Sequence, residues 1–359
     1  MNAYSVELYD PYGTRLDVLT DFSALEYARA ENSVGRLTLQ FSTTATDYNF
    51  IKKDGRIGVY RKVDTAAPYL DLSTMWLIRD WAQIYKNGLW TFSVTAFDGN
   101  HLLQRRIVDY SDSSGSAAGY ADDICKTIVS QNAGSAATDT TRSWASYLSI
   151  AGNLSQGASV SKSYSNRNML SVLQELAQAS TQAGSYLAFD VTYNLGAAKF
   201  QFETFAGQRG LDHRWPAGTN PVIFDPRMGN LSDVSLEFSS ADEVTRVKAV
   251  TGGSSAMADD LTRQGESPFG LIEATVNYCQ STGGLSYEAN ARLRQGRPVN
   301  RFSGTVAETP GCMRGVHWDY GDYVTANVLR QKYDCRVSAI RVTLRPGRQA
   351  TAVILRSET

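Results

Sequence analysis

The sequence predicts a mainly β chain in which two related β domains flank a middle α+β domain. Runs of alternating apolar and polar residues, bounded by turn residues, fill both ends of the chain. Helical spacing is concentrated in the middle, and the runs follow one another in the same order at the two ends. With 359 residues, the chain is long enough for two or three domains with substantial cores.

The first domain is expected over residues 1–108, where strands and turns alternate almost throughout. Its clearest element is a hairpin over residues 76–97 with Asn87-Gly88 at its tip. That dipeptide favours a type I′ turn, because both central residues of the turn need a positive φ. Residues 91–97 then alternate between polar and apolar side chains, which predicts a strand with one apolar face.

The middle domain is expected over residues 109–225. A small-residue linker over 111–119 opens it, and apolar spacing over 121–128 then predicts a helix. Asn168 is placed to cap a second helix that ends at Gly184. A hairpin is predicted over 186–205, turned at Asn194-Leu195-Gly196.

The last domain is expected over residues 226–359 and returns to β structure. Residues 235–250 are interpreted as one strand, and residues 335–357 as a hairpin turned at Pro346-Gly347. Between them we expect an insertion at about 253–312, with a short helix around residues 287–293.

The first and last domains match at three points in the same order. The matched segments are Leu25-Glu26-Tyr27 with Leu236-Glu237-Phe238, Gly55-Arg56-Ile57 with Gly321-Asp322-Tyr323, and the hairpin Trp76–Phe97 with Cys335–Leu355. Two unrelated β domains are the alternative. If the domain is doubled, three copies in a ring present six similar walls and can meet a sixfold partner.

Composition narrows the function classes. Lys and Arg total 35 against 36 Asp and Glu, so the net charge of −1 argues against a protein that grips nucleic acid. The four cysteines, Cys125, Cys279, Cys312 and Cys335, are far apart and are expected to be buried free thiols. No export signal and no membrane-spanning run is expected, which predicts a soluble protein made in the cytoplasm.

Two parts of the sequence carry a recognisable pattern: Asp10-Pro11-Tyr12-Gly13, Leu25-Glu26-Tyr27, Val34-Gly35 and residues 88–108 at the start, and Tyr320-Gly321-Asp322-Tyr323-Val324 with Val337–Leu344 at the end. In these parts the chain resembles the tail-hub family of long-tailed bacteriophages, which is similar to the baseplate hubs of contractile phages.

The resemblance implies a homotrimer in which each subunit carries two tube-type β-barrel domains. The trimer would form a pseudo-hexameric ring that joins the sixfold tail tube to the tail tip. Implied partners are the tail tube or distal tail protein, the tape-measure protein and tail-tip or fibre proteins, with DNA passing through unbound and no membrane insertion. The implied location is the virion tail tip or baseplate, assembled in the host cytoplasm.

No catalytic signature is found, so no catalytic, cofactor-binding or metal-binding residue and no cofactor is expected. His101 is expected to cap or pack, and His213 to be exposed in a loop. His317 lies near Cys312, a faint suggestion of a metal corner without a second pair of ligands.

Three further features have both a functional and a structural interpretation. The pairs Asp122-Asp123 and Asp259-Asp260 suggest a glycosidase, or else a helix N-terminus and a solvated turn. Trp76, Trp81, Trp90 and Phe92 could stack on sugars, or form cross-strand pairs. Arg105-Arg106 could contact a partner or lie in a solvated turn. The expectation is a structural protein rather than an enzyme; a carbohydrate- or receptor-binding tail-tip protein is the alternative, and a cell-wall hydrolase a weaker one.

Overall fold

The computed structural model describes residues 3–19, 21–44, 46–64, 66–86, 88–109, 116–164, 166–277 and 284–357. Asn87, Cys279 and residues 111–115 of the expected linker lie outside the described residues. The architecture confirms the predicted fold class: two related β domains flank a middle α+β domain.

The first β domain consists of β1 (Ala3–Tyr9), β2 (Arg15–Leu19), β3 (Ala24–Ala30), β4 (Arg36–Ser42), β5 (Arg56–Lys62), β6 (Tyr69–Lys86) and β7 (Leu89–Phe97), followed by the short helix α1 (Asn100–Gln104). The middle domain contains β8 (Ser116–Tyr120), α2 (Ala121–Ala133), β9 (Leu148–Ile150), β10 (Ser159–Ser163), α3 (Met169–Gln182), β11 (Leu187–Asn194) and β12 (Lys199–Ala206).

The second β domain begins after β13 (Ile223–Phe224) and contains β14 (Leu231–Ser239), β18 (Val299–Val306), β19 (Tyr323–Val328), β20 (Gln331–Arg345) and β21 (Arg348–Ser357). Between β14 and β18 lie β15 (Arg246–Thr251), β16 (Ser254–Asp259), α4 (Leu261–Gln264), β17 (Glu273–Asn277) and α5 (Gly284–Gln295). The domain limits given above remain predictions.

Strands of both β domains share one sheet. In the described part of the chain, thirteen strands join it in the order β14-β18-β21-β20-β3-β4-β7-β6-β5-β1-β2, with β19 attached to β20 and β13 to β19. The two domains meet where β20 pairs antiparallel with β3. The domains are therefore fused through backbone hydrogen bonds as well as through side chains.

The two β domains repeat one topology. The order β3-β4-β7-β6-β5 in the first domain is reproduced as β14-β18-β21-β20-β19 in the second. Both hairpins close on a two-residue turn, with Lys86 opposite Leu89 and Arg345 opposite Arg348. Both also carry a β-bulge at the same distance from that turn, just before Asp80 and just before Ala339. Turn and bulge together fix which residues correspond.

This correspondence refines the matches seen in the sequence. The hairpins correspond as expected, with Trp76 at the position of Cys335. Strand pairing, however, places Tyr27 rather than Leu25 at the position of Leu236. The expected match of Gly55 with Gly321 is likewise shifted by one residue, since the pairing places Gly55 at the position of Asp322. The expectation was based on residue type, whereas the pairing register determines which residues correspond.

The single strand expected over residues 235–250 is wrong. Residues 231–239 form β14 in the large sheet, and residues 246–251 form β15 in a separate sheet with β16 and β17. The helix α5 packs on this small sheet, with Ala289 and Leu293 in its core beside Val247. The short helix expected around residues 287–293 is confirmed.

One hydrophobic core serves both β domains. It joins side chains from the first domain, such as Tyr27 and Trp76, to side chains from the second, such as Val324 and Val342. A second core lies in the middle domain, where α2 and α3 pack on β11 and β12, and it takes in Met75 of β6. Asn168 caps α3 as expected, since its side-chain oxygen accepts the Ser171 N–H at 3.3 Å.

The end of the first β domain touches β11 without room for a side chain. A Cβ on Gly99 would lie 2.6 Å from both Cγ1 and the carbonyl oxygen of Val191. Beside it, the Asn100 side-chain oxygen accepts the Val191 N–H at 2.8 Å. Gly99 therefore lets the two domains approach.

We expect Gly99→Ala to lower the free energy of unfolding by about 1–3 kcal/mol, because the added methyl group forces the two backbones apart. Urea denaturation monitored by tryptophan fluorescence measures the change. Gly152→Ala is the matched control, since nothing lies within 4 Å of a Cβ there. Equal stability of the two variants would contradict this account of the contact.

Candidate functional site

The junction between the β domains is built first on backbone pairing. Six residue pairs join β3 to β20, running from Ala30 opposite Ala339 to Leu25 opposite Leu344. Tyr27 and Val342, which face each other in the middle of this ladder, are both fully buried. The junction is thus continuous sheet with its apolar face in the shared core.

A buried ion pair crosses the same junction. The Arg314 guanidinium donates to both Asp71 carboxylate oxygens at 2.6 and 2.7 Å, and both side chains have no exposed surface. The Tyr27 hydroxyl also donates to Asp71, and Arg61 donates to the Arg314 carbonyl at 2.7 Å. Burial raises the pKa of Asp71, but Arg314 and Tyr27 outweigh burial, so the net pKa lies below its ordinary value.

A second buried cluster ties all three domains together. Arg29 on β3 donates to Asp98 at 2.9 Å and also to Asp190 of the middle domain. Arg209 donates to the other oxygen of Asp190 and lies 3.9 Å from the centre of the Tyr320 ring, which belongs to the second β domain. Burial raises the pKa of Asp98 to about 6, although Arg29 acts in the opposite direction.

These buried arginines were not identified from the sequence. The signal lay in the alternation of β3, where Leu25, Tyr27 and Arg29 occupy one face. A charged residue that continues an apolar face must be paired inside the protein, because an isolated buried charge is too costly. Arg314 gave no such signal, since it lies in a loop outside the named strands.

We expect Asp71→Leu to lower the free energy of unfolding by about 3–5 kcal/mol, because it leaves the Arg314 guanidinium buried without a counterion. The double variant Asp71→Leu with Arg314→Met should recover most of that loss. Chemical denaturation of the single and double variants measures both changes.

The control for this experiment is Arg15→Met, which breaks the exposed ion pair of Arg15 with Glu7. Its unfolding midpoint should move far less, because exposed pairs are solvated and screened. A double variant as unstable as Asp71→Leu would show that the loss comes from packing around Asp71 and not from the stranded charge.

The sheet face turned away from the core is lined by small and polar side chains. Along β3, β4, β7 and β20 this face carries Glu26, Ala28, Arg36, Thr38, Gln40, Thr91, Ser93, Thr95, Arg341 and Thr343. Its charges are mixed, and Arg341 lies 3.7 Å from Glu26 across the domain junction. Glu26, Arg36, Gln40 and Arg341 are exposed on this face, and the other positions are half-buried.

The two hairpin tips differ in chemistry. The tip of the β6–β7 hairpin exposes the large apolar side chains Trp81, Ile84, Tyr85, Leu89 and Trp90. The corresponding tip of the β20–β21 hairpin exposes Arg345, Arg348 and Gln349. Equivalent projections of the two β domains therefore offer an aromatic surface in one case and a cationic surface in the other.

The aromatic residues singled out in the sequence fall into two groups. Trp76 and Phe92 are buried in the shared core, where Phe92 stacks on Phe41 at 5.4 Å, so neither can stack on a sugar. Trp81 and Trp90 are 43% and 47% exposed at the hairpin tip. Only the latter two remain available to a ligand or a partner.

The histidines have local structural contacts. His101 packs on Phe97, with 4.9 Å between ring centres. The expectation that His213 is exposed is wrong: it is 7% exposed, and its Nδ1 lies 2.6 Å from the Thr219 carbonyl oxygen. His317 Nδ1 accepts the Met313 N–H at 3.1 Å. Among the described residues, no three His, Cys, Asp or Glu side chains are grouped to hold a metal ion.

The acidic pairs are engaged in structural contacts. Asp122 is buried and bonds Lys126 at 2.7 Å and Thr204 at 2.5 Å. Asp259 accepts from Arg246 at 2.6 Å, and Asp260 caps α4. Asp122, Asp259 and Asp260 are thus each engaged in an ion pair or a helix cap.

The Arg105-Arg106 pair contacts the protein itself. Arg105 donates to Asp54 at 2.8 Å. The guanidinium of Arg106 lies 3.8 Å from the centre of the Trp144 ring in the middle domain and donates to the Arg142 carbonyl at 2.9 Å. Arg106 therefore links the first and middle domains, whereas Arg105 forms an ion pair within the first domain; neither alternative drawn from the sequence anticipated this.

Cys125, Cys312 and Cys335 are buried free thiols, as expected. Burial raises the pKa of the Cys312 thiol to about 11, so it stays protonated at neutral pH. In the described part of the chain, no helix has the length and apolar character needed to cross a membrane.

This fold is the fold of bacteriophage tail proteins. Three solved structures share it over 99% of this chain: the 43 kDa tail protein of prophage MuSo2 from Shewanella oneidensis (TM-score 0.64, 12% identity, 98% of that chain), a tail protein from Neisseria meningitidis MC58 (0.63, 11%, 97%) and prophage tail protein gp18 from Listeria monocytogenes EGD-e (0.55, 15%, 94%). No curated protein matches the chain.

The chain belongs to the Siphovirus ReqiPepy6 Gp37-like protein family, whose model matches residues 5–264. That span covers the first β domain, the middle domain and the start of the second β domain. The resemblance to a phage tail family, seen first at both ends of the sequence, is thereby confirmed.

Proposed function

We propose that this chain is the structural hub of a phage tail, in which three copies form a ring of six similar β domains between the tail tube and the tail tip. The observation that carries the proposal is the shared strand order of the two β domains within one sheet. A chain that contains the same domain twice can place six equivalent surfaces around a threefold axis.

The outward face of the sheet supports a role as a conduit. Its threonine, serine and alanine side chains form a hydrophilic wall, and the charged positions named on it are two arginines and one glutamate, few enough for DNA phosphates to pass without tight binding. In the proposed ring this face lines the lumen, through which the tape-measure protein and then DNA pass without being retained.

The proposed partners are the components that such a ring would join. A tail tube or distal tail protein lies on one side, tail-tip or fibre proteins lie on the other, and the tape-measure protein runs through the centre. The proposed location is the virion tail tip or baseplate, reached by assembly in the host cytoplasm. In this role the chain carries no catalytic step.

We expect the purified protein to form particles of three times the chain mass of 39.4 kDa, at least at high concentration or with a tail tube partner present. Light scattering coupled to size exclusion measures the mass, and negative-stain images should show rings with a central hole. A strict monomer under all these conditions would overturn the proposal.

Exposed Trp81 and Trp90 favour a second candidate function, the binding of a carbohydrate receptor. This candidate predicts saturable binding to host envelope glycans that is lost in Trp90→Ala. Trp215→Ala is the control, because Trp215 is 47% exposed, like Trp90, but lies in the loop before the second β domain. A zymogram on host envelopes tests for a hydrolase, and we expect no clearing.

A further inference from the structure

The internal repeat leaves two sheet edges without a partner in the described part of the chain. In the second β domain, β20 pairs with β21 on one side and with β3 on the other. The equivalent of β20 is β6, which from Asp80 onward pairs only with β7. The equivalent of β3 is β14, which pairs only with β18.

We infer that the free edge of β6 in one copy pairs with the free edge of β14 in another copy, antiparallel and in the register that joins β20 to β3 within the chain. This inference rests on the proposed function and adds to it the surface by which copies join. The two unpaired strands, β6 and β14, are the equivalents of β20 and β3, which pair with each other inside each subunit. The same strand-to-strand contact would therefore operate within and between subunits.

The register follows from the correspondence between the domains. Turn and bulge make Ala82 the equivalent of Arg341. Strand pairing across β4 and β18 makes Glu237 the equivalent of Ala28. Because Arg341 lies opposite Ala28 within the chain, Ala82 of one copy lies opposite Glu237 of the next.

The neighbouring pair in this register is aromatic. Trp81 corresponds to Ile340 and Phe238 to Arg29, which face each other across the internal junction. Ile340 and Arg29 are 1% and 2% exposed, whereas Trp81 and Phe238 are 43% and 65% exposed. Pairing the two edges would set these rings against each other, as in other aromatic cross-strand pairs.

The side chains around this pair fit the same contact. On the core side, Tyr85 continues the row of Trp81, and Leu236 and Val234 continue the row of Phe238. On the other side, Ala82 and Ser239 are small, and no two like charges come directly opposite each other in this register. An exposed edge strand with apolar side chains invites pairing with another chain, and the repeat specifies which strand that is.

The contact is head-to-tail, since β6 of each copy meets β14 of the next. Such contacts either close into a ring or extend as a filament. The proposed ring corresponds to a chain of such contacts that closes after three copies. The number of copies in the assembly and the strands that join them are independent properties, so each can be tested by its own experiment.

Disulfide cross-linking tests the register. Residues directly opposite in an antiparallel pair lie within the range that a disulfide spans. The variant with Ala82→Cys and Glu237→Cys should cross-link between copies on mild oxidation, and a mixture of the two single variants should give a cross-linked dimer. The internal equivalent, Ala28→Cys with Arg341→Cys, should lose two free thiols without joining copies.

The matched control pairs Gln83→Cys with Glu237→Cys. Gln83 is also exposed, but successive strand residues point to opposite faces, so it should cross-link poorly. Non-reducing gels of the Ala82 and Glu237 double variant should show a ladder that ends at three copies. The parent protein, oxidised in parallel, accounts for any contribution of its own cysteines.

The outcomes separate the two proposals. Equal cross-linking through Gln83, or no cross-link in a protein whose mass shows it to be a trimer, would overturn the edge contact and leave the hub standing. A cross-linked ladder that runs past three copies would confirm the edge contact and overturn the three-copy ring. A monomer that never cross-links would overturn both.

Removing the aromatic pair tests its contribution. Trp81→Ser and Phe238→Ser should each weaken self-association by about tenfold or more, measured by sedimentation, with thermal unfolding of the isolated chain little changed. Phe269→Ser is the control, because Phe269 is 87% exposed but belongs to neither edge strand, since it lies in the loop between α4 and β17. Association that is equally weakened in all three variants would contradict the pairing of Trp81 with Phe238.

Discussion

The pairing of β3 with β20 is the constraint on which this structure depends. It converts two copies of one topology into a single sheet with a single core, and it fixes their relation by backbone hydrogen bonds. The buried pair of Asp71 with Arg314 lies over this junction and also joins the two β domains. Buried ion pairs contribute little net stability, but breaking one is costly, so they favour one arrangement over others.

Buried ion pairs also attach the middle domain, through a different set of residues. Arg29 reaches from β3 to Asp190 on β11, and Arg209 approaches Asp190 from the other side. The close contact at Gly99 and the contact of Arg106 with Trp144 add two further attachments. The middle domain is therefore fixed to the first β domain at several points and not through one flexible linker.

The sequence alone was enough for the fold class, the main hairpins and the doubling of the β domain. Alternation and turn residues are local signals, so the hairpin tip at Pro346-Gly347 and the cap at Asn168 could be read directly. Register could not be predicted, because a shift of one or two residues preserves composition while changing every partner, as the shifted matches of Leu25 and Gly55 show. The buried cluster around Asp71 was missed, since its members lie far apart in the chain and meet only through the β3–β20 junction. His213 was misplaced because the local sequence LDHRWP is typical of an exposed loop and does not reveal the contacts of His213 with Thr219 and Asp322.

The unlike hairpin tips have a consequence for symmetry. In a ring of three copies, the aromatic tip around Tyr85 and the cationic tip around Arg345 would alternate along the circumference. A partner with true sixfold symmetry would then present six identical surfaces to two chemically different kinds of hairpin tip. Such a partner would have to bind features that the two kinds of tip share, whereas a threefold partner could bind one kind of tip alone.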